Sequence, residues 1–215
     1  SAMAHIKHWE LIKKTDIKVI DMTPSGIGLS IVPVVNSDEI LMHQNVNMIS
    51  CGGQASIPLI YAVAKAQKGL SYVEIVSSIA SKSAGPATRA NIDEYIELTE
   101  DAARIFSDTN DAKVILILNP AEPPISMQTS ISFLTEGVNI NLNVVKESVN
   151  LMVEKIKAYV PGYELLVEPV IVGNKRLIVM VKVVGLGDFL PSYAGNLDII
   201  NCAAISVAEN FSIRK

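Results

Sequence analysis

Cys51 stands at the head of Cys51-Gly52-Gly53-Gln54-Ala55-Ser56-Ile57-Pro58, between a strand-like run (Asn45 to Ile49) and an apolar stretch that reads as a helix from about Ser56 to Gln67. Paired glycines let a backbone turn sharply. Pro58 suits a first helical turn, where a missing N–H has no partner to lose. A thiol at a helix N-terminus feels the positive end of the helix dipole, which favours the thiolate and lowers the pKa. The sulfur therefore reads as a nucleophile near neutral pH; the alternative is a small buried cysteine packing as a hydrophobe. Other chemistries find less support. A Cys-His or Ser-His-Asp hydrolase needs a histidine base, and His43, nearest to Cys51 in sequence, has no residue marked to orient it. A dinucleotide fingerprint needs G-x-G-x-x-G after a strand, of which Gly26-Ile27-Gly28 is a fragment. His5, His8 and His43 have no cysteine or carboxylate at metal-ligand spacing, so the pattern argues against a metal site.

The elements that must hold Cys51 can be read from periodicity and turn signals. The 215 residues are 49% apolar and 19% charged, enough for a substantial core in one large domain or two small ones. A net charge of -4 without a basic cluster speaks against nucleic-acid binding. No apolar run reaches membrane-spanning length and no signal peptide is visible, and two cysteines make no disulfide framework, so the expected compartment is the reducing cytoplasm. Ser1-Ala2-Met3 has the look of a tag-cleavage remnant and is set outside the fold reading.

In chain order, Ala4 to Thr15 reads as a helix, Ile17 to Met22 as a buried strand and Thr23 to Asn36 as a loop. Ser71 to Ala80 reads as a strand, followed by the small-residue loop Ser81 to Asn91, where Asn91-Ile92-Asp93-Glu94 resembles a capping box. The next helix carries Ile92, Tyr95, Ile96, Ala102, Ala103 and Phe106 on one face and Glu94, Glu97, Glu100 and Asp101 on its solvated side. Lys113 to Leu118, apolar on both faces, predicts a central strand. Asn119-Pro120-Ala121-Glu122-Pro123-Pro124 then forbids regular structure. Ser126 to Leu134 continues as a strand, and Val145, Val149, Met152 and Ile156 form a helical stripe. Tyr163 to Val172 and Arg176 to Val184 flank a Gly173-Asn174 hairpin turn. Tyr193 to Phe211 is a last, largely buried helix, with Cys202 in the core and Asp198 as a helix-start carboxylate. The order predicts an α+β fold with a mixed, largely antiparallel sheet covered by helices.

Four stretches, Asn45 to Pro58 (NVNMISCGGQASIP), Ser81 to Glu94 (SKSAGPATRANIDE), Asn119 to Pro124 (NPAEPP) and Leu190 to Ile199 (LPSYAGNLDI), resemble acylating acetaldehyde dehydrogenase, the CoA-dependent enzyme of aromatic meta-cleavage pathways. The resemblance implies a catalytic and dimerisation domain over residues 51–190. Residues 4–50 would be a remnant of an α/β NAD-binding (Rossmann) domain, to which a C-terminal helix, 191–215, returns. It further implies Cys51 as the acyl-thioester nucleophile, NAD as cofactor and coenzyme A as co-substrate. The NAD contacts would come from Ser83, Ala84, Gly85, Pro86, Ala87, Thr88, Arg89, Ala90, Asn91 and Asn196. A short aldehyde such as acetaldehyde is the implied substrate, a homodimer the implied assembly and 4-hydroxy-2-oxovalerate aldolase a partner. With the glycine fingerprint absent, the 215-residue chain is expected to be inactive by itself. Arg89 can neutralise a phosphate, hold substrate or make a structural ion pair, and Gln54 with the N–H groups after Cys51 could receive an oxyanion. Many members of the resembled family carry an acidic residue just after the NPAEPP turn, proposed to act as a base. Gln128-Thr129 stands there instead, leaving Asp188 or Glu122 as substitutes, or the role as dispensable. A semialdehyde or acyl-phosphate reductase, and a non-catalytic dimerisation or aldolase-docking module, are the competing readings.

Overall fold

A computed structural model describes residues 1–136, 139–173 and 175–213. Helix α1 (Ala2–Ile12) opens the chain, with the Ser1 hydroxyl accepting from the Ala4 N–H at its start. Ala2 is only 3% exposed, so it packs with the folded unit. Strands β1 (Val19–Asp21), β2 (Leu29–Ser30) and β3 (Asn45–Asn47) form a parallel sheet in the order β1-β3-β2. Between β2 and β3 lie the short helix α2 (Pro33–Asn36) and a 3-10 turn over Ser37–Met42, so the expected loop at 23–36 contains both a strand and a helix. The Asp21 carboxylate organises the turn after β1: it accepts from the Thr23 N–H (2.9 Å), the Ser25 hydroxyl (2.5 Å) and Asn47 Nδ2 (2.9 Å). Burying a carboxylate is tolerable only when several donors surround it, and this one fixes the 23–25 turn beside the end of β3.

Helix α3 (Cys51–Ala66) runs through the centre of the molecule. Strand β4 (Leu70–Ala80), a 3-10 turn (Ser81–Ser83), and helices α4 (Pro86–Ala90) and α5 (Ile92–Ser107) come after it. Next come β5 (Ala112–Asn119), β6 (Met127–Thr135), α6 (Leu142–Lys157), β7 (Tyr163–Val172), β8 (Arg176–Val183) and α7 (Gly195–Ile213). The second sheet has the order β5-β4-β6-β8-β7; β4 and β5 are parallel and the other three pairings antiparallel. The predicted mixed, largely antiparallel sheet is therefore present. The β7–β8 hairpin turns at Gly173, whose φ of 63° a side chain would disfavour; Asn174, the other half of the expected turn, lies outside the described residues.

Helices α3, α5 and α6 cover one face of this sheet. Alternate strand residues (Val73, Ile75, Ile131, Phe133, Leu177, Val179) meet their buried stripes there, as period-2 strands against period-3.6 helices require. The opposite face carries the register row Ile115–Val76–Ser130–Met180–Val167. Ile115 and Ile117 on it are 41% and 44% exposed. Strand β5 is thus an edge strand with one bare face, where a central strand was expected. Its outward isoleucines have no covering layer within the described residues. A second, smaller cluster packs Ala203, Ala204 and Val207 of α7 onto Ile31, Ile40, Val46 and Met48 around the parallel sheet. Meanwhile Ile199 of α7 belongs to the main core and Cys202 packs against it, so the last helix ties the two sheets together. No described helix is long and apolar enough to cross a membrane.

Candidate active site

Cys51 is the first residue of α3, not a loop residue preceding it, and Pro58 sits inside the helix beyond its first turn. The chain reverses from β3 into α3 at Ile49, which is fully buried with φ of 61°. A β-branched residue in the left-handed region is a genuine outlier, and such strain persists only where neighbours enforce it. Here the Asn47 side chain accepts from the Ile49 N–H at 2.7 Å, and Ser50 then caps α3 by accepting from the Gly53 N–H at 2.8 Å. Gly52 and Gly53, expected to make the turn, instead give space. A Cβ at Gly53 would lie 2.7 Å from Ile49 Cγ2; one at Gly52 would fall onto the Tyr95 hydroxyl and 3.0 Å from Ser77 Oγ.

Cys51 is half-buried, in the wall of a cavity of about 170 Å³ whose lining includes Thr23, Pro24, Ile49, Ser50, Ala87, Thr88, Asn91, Tyr95, Asn196 and Leu197. Cys51 and Tyr95 contribute the only ionisable side chains to that lining; no Asp, Glu, His, Lys or Arg side chain reaches it among the described residues. Burial dominates the thiol, pushing it up to about 11. The Tyr95 hydroxyl and the Gly52 and Cys51 N–H groups pull the other way without overcoming it. The helix-start donors are therefore present as expected, but the lowered pKa is not: removing the sulfur from water opposes its charge more than one helix end favours it. Tyr95 is also driven well above its ordinary range, chiefly by burial and then by the neighbouring thiol, so it stays a protonated donor.

The residues singled out from sequence divide on inspection. Ala87, Thr88, Asn91 and Asn196 line the cavity with Cys51. Asn196 Nδ2 donates to the Ser83 carbonyl at 3.4 Å, joining α7 to the Ser81–Ser83 turn, while its Oδ1 is buried without a partner. Ser83, Ala84, Gly85, Pro86, Arg89 and Ala90 frame the loop but do not line the cavity. Among the described residues the Arg89 guanidinium makes no ion pair: Nε donates to the Ala84 carbonyl, and Nη2 to the carbonyl and hydroxyl of Ser81. It is a clamp across the loop. Asn91 does not form the expected capping box; its side chain turns back to donate to the Ala87 carbonyl. Gln54 is no oxyanion donor, because its Nε2 is fully buried on the carbonyls of Ile31 and Met48. Glu122 pairs with Lys82 at 2.5 Å and, like Asp188, does not line the cavity. Asp198 accepts from the Leu186 N–H at the start of α7.

Sequence reasoning gave Tyr95 only a core role on the stripe of α5, noted Thr129 only in place of an acid, and did not single out Ser77 or Thr23. Ser77 and Thr129 exchange a 3.0 Å hydrogen bond in the core behind Gly52, and Ser50 and Thr99 exchange one of 2.7 Å. Thr23 lines the cavity, and its Oγ1 is another buried oxygen without a partner among the described residues. The available signal was Tyr95 on the apolar stripe of α5, since a buried phenol must find a partner.

Residues 51–191 match the family described as prokaryotic acetaldehyde dehydrogenase, dimerisation. The chain is 52% identical over 214 residues to an acetaldehyde dehydrogenase of Pectobacterium atrosepticum, covering 99% of this chain and 71% of that protein. It is 47% identical to one of Spirochaeta aurantia, over 99% and 70% of the two chains. A third, from Geobacillus stearothermophilus, is 46% identical over 100% of this chain and 72% of its own. In three dimensions the chain is similar to aspartate semialdehyde dehydrogenase II of Vibrio cholerae, solved in complex with ASA. That likeness has a TM-score of 0.64 at 13% identity and covers 99% of this chain and 75% of that one; at that identity it speaks for the fold.

Proposed function

The chain belongs to the prokaryotic acetaldehyde dehydrogenase family, and from that premise we propose that it is the part of an acylating aldehyde dehydrogenase that carries the nucleophile, Cys51. The observation that carries the reading is the lining of the cavity. A single thiol, at the head of a capped helix, faces a space walled by the two motifs expected to hold NAD. On this reading the Cys51 sulfur attacks a short aldehyde such as acetaldehyde: a C–S bond forms, and the carbonyl electron pair moves onto oxygen. The thiol proton leaves as the thiolate forms, and the free N–H groups of the first turn of α3 lie where negative charge collects. When bound, NAD supplies the two-electron acceptor that raises the adduct to a thioester. Coenzyme A then takes the acyl group from Cys51 by thiol exchange, restoring the cysteine.

Asn196 and Thr23 would suit a bound nicotinamide: both line the cavity, and each keeps a buried oxygen with no hydrogen-bond partner among the described residues, as an amide-bearing ring would require. The loop 83–91 would take part through Ala87, Thr88 and Asn91, with Arg89 holding its shape. Residues 4–50 and 191–215 would form the nucleotide-binding side, a parallel sheet with α7 packed on it, and 51–190 the catalytic side. The bare face of the large sheet, with Ile115 and Ile117 half in water, supports a homodimer formed through this face. An aldolase such as that of 4-hydroxy-2-oxovalerate would supply the aldehyde.

Acyl transfer can be tested without oxidation. Incubated with acetyl-CoA, the chain should gain an acetyl group on the Cys51 peptide and release CoA, and Cys202 should remain free. An unmodified Cys51 under conditions that leave the protein folded would refute the reading.

A further inference from the structure

The Tyr95 hydroxyl is a buried polar group with no well-aligned hydrogen-bond partner among the described residues, which a folded protein rarely keeps without a reason. The side chain is 5% exposed, and its oxygen hangs over the Cα of Gly52, at the first turn of α3. Ser77, Ser50 and Cys51 are its polar neighbours, close enough to act on its proton, though the resting hydroxyl makes no well-aligned hydrogen bond among the described residues. Behind it, Ser77 is held by Thr129, and Ser50 by Thr99 and the Gly53 N–H. Among the described residues no carboxylate or histidine side chain lines the cavity. Among the described residues the groups lining the cavity with the sulfur are thus Tyr95 from α5, the backbone donors of α3 and Ser1 with its α-amino group at the start of α1, with no charged side chain from β4, β6, α4 or α7.

We propose that Tyr95 is a catalytic residue of this chain, its hydroxyl donating to the Cys51 sulfur so as to hold and stabilise the thiolate that attacks the aldehyde. This rests on the reading of Cys51 as the nucleophile. The phenol keeps its proton throughout, and the thiol proton goes to solvent, so no second base is required at the sulfur. Burial raises both groups, and Tyr95 acts on Cys51 in the direction that favours the anion. Gly52 is accounted for by the same arrangement, because any side chain there would displace the hydroxyl. The resting orphan is explained, since its acceptor becomes a strong one only when the sulfur loses its proton.

The test measures iodoacetamide labelling of Cys51 against pH, resolved from Cys202 by peptide mass, in the wild-type chain and in Tyr95→Phe. Losing one hydrogen bond to a charged acceptor should raise the apparent pKa of Cys51 by about one unit. Below the pKa the thiolate fraction then falls about tenfold. The more basic sulfur recovers about threefold in nucleophilicity, so labelling slows by about threefold. Placing 3-fluorotyrosine at position 95 makes a stronger donor on the same ring and should move the Cys51 pKa downward, a readout that survives if Tyr95→Phe folds poorly. An unchanged Cys51 pKa in either variant would overturn the proposal. Acetylation by acetyl-CoA, run in parallel, separates the two readings. A wild-type chain that resists acetylation refutes the acyl-transfer function, while the labelling series still decides the role of Tyr95.

Discussion

Gly52→Ala is the most informative single change to the packing around the candidate nucleophile. Two opposing effects can be sized. Gly52 lies in the first turn of α3 with an ordinary helical backbone, so alanine should gain up to about 1 kcal/mol from helix propensity. Against this, the new methyl would fall onto the Tyr95 oxygen, with Tyr95 Cζ at 3.1 Å and Ser77 Oγ at 3.0 Å. Neither neighbour can swing into solvent: Ser77 is fully buried, and the Tyr95 ring is locked in the core on α5. Overpacking of this kind costs about 1–3 kcal/mol. The net expectation is a loss of about 1–2 kcal/mol in the urea unfolding free energy. The decisive measurement is the double-mutant cycle with Tyr95→Phe. Phenylalanine removes the atom with the worst overlap, so Gly52→Ala should be close to neutral in that background. The cycle should therefore close with a coupling of about 1–2 kcal/mol. Additive effects, within about 0.5 kcal/mol, would show that the Tyr95 hydroxyl does not lie against Gly52. The account of the nucleophile's surroundings would then fail.

Alkaline pH should weaken the fold through Cys51. Its thiol titrates at about 11 when folded against 9.0 for the unperturbed group, so the unfolded chain binds fewer protons between those values. Stability is then full below about pH 9 and declines as pH rises towards 11, by up to about 3 kcal/mol. The comparison is the pH dependence of unfolding in wild type and Cys51→Ala, and an identical decline in both would contradict the assignment. On the sheet, Ile115→Lys with Ile117→Lys should leave the monomer's melting temperature within a few degrees, because both side chains already face outward. The same pair should convert a dimer to monomer in sedimentation velocity, whereas an unaltered dimer would place the interface elsewhere.

Much of this protein was legible in its sequence because the relevant signals are local. Alternating strands and the stripe Val145, Val149, Met152 and Ile156 declare their own periodicity, and all four stripe residues are buried. Cys51 was marked by its position between a short strand and an apolar helix, and four short motifs carried the family. Tertiary structure decided what those local signals could not. Strand β5 is apolar on both faces, yet it lies at the edge of the sheet, since hydrophobicity records that a face will be covered but not by which layer. The reversal falls on Ile49 and not on the glycines, because Asn47 and the core compel a conformation that isoleucine alone would avoid. Gln54 looked like an oxyanion donor beside the nucleophile, but helix geometry turns it onto the carbonyls of Ile31 and Met48. The helix dipole at Cys51 is a property of the local chain. The burial that outweighs it comes from packing against α5, 40 residues and more away in sequence, and only the folded molecule sets Tyr95 over Gly52. Sequence thus specified which atom could react. The environment that governs its charge is a sum over residues that only folding brings together.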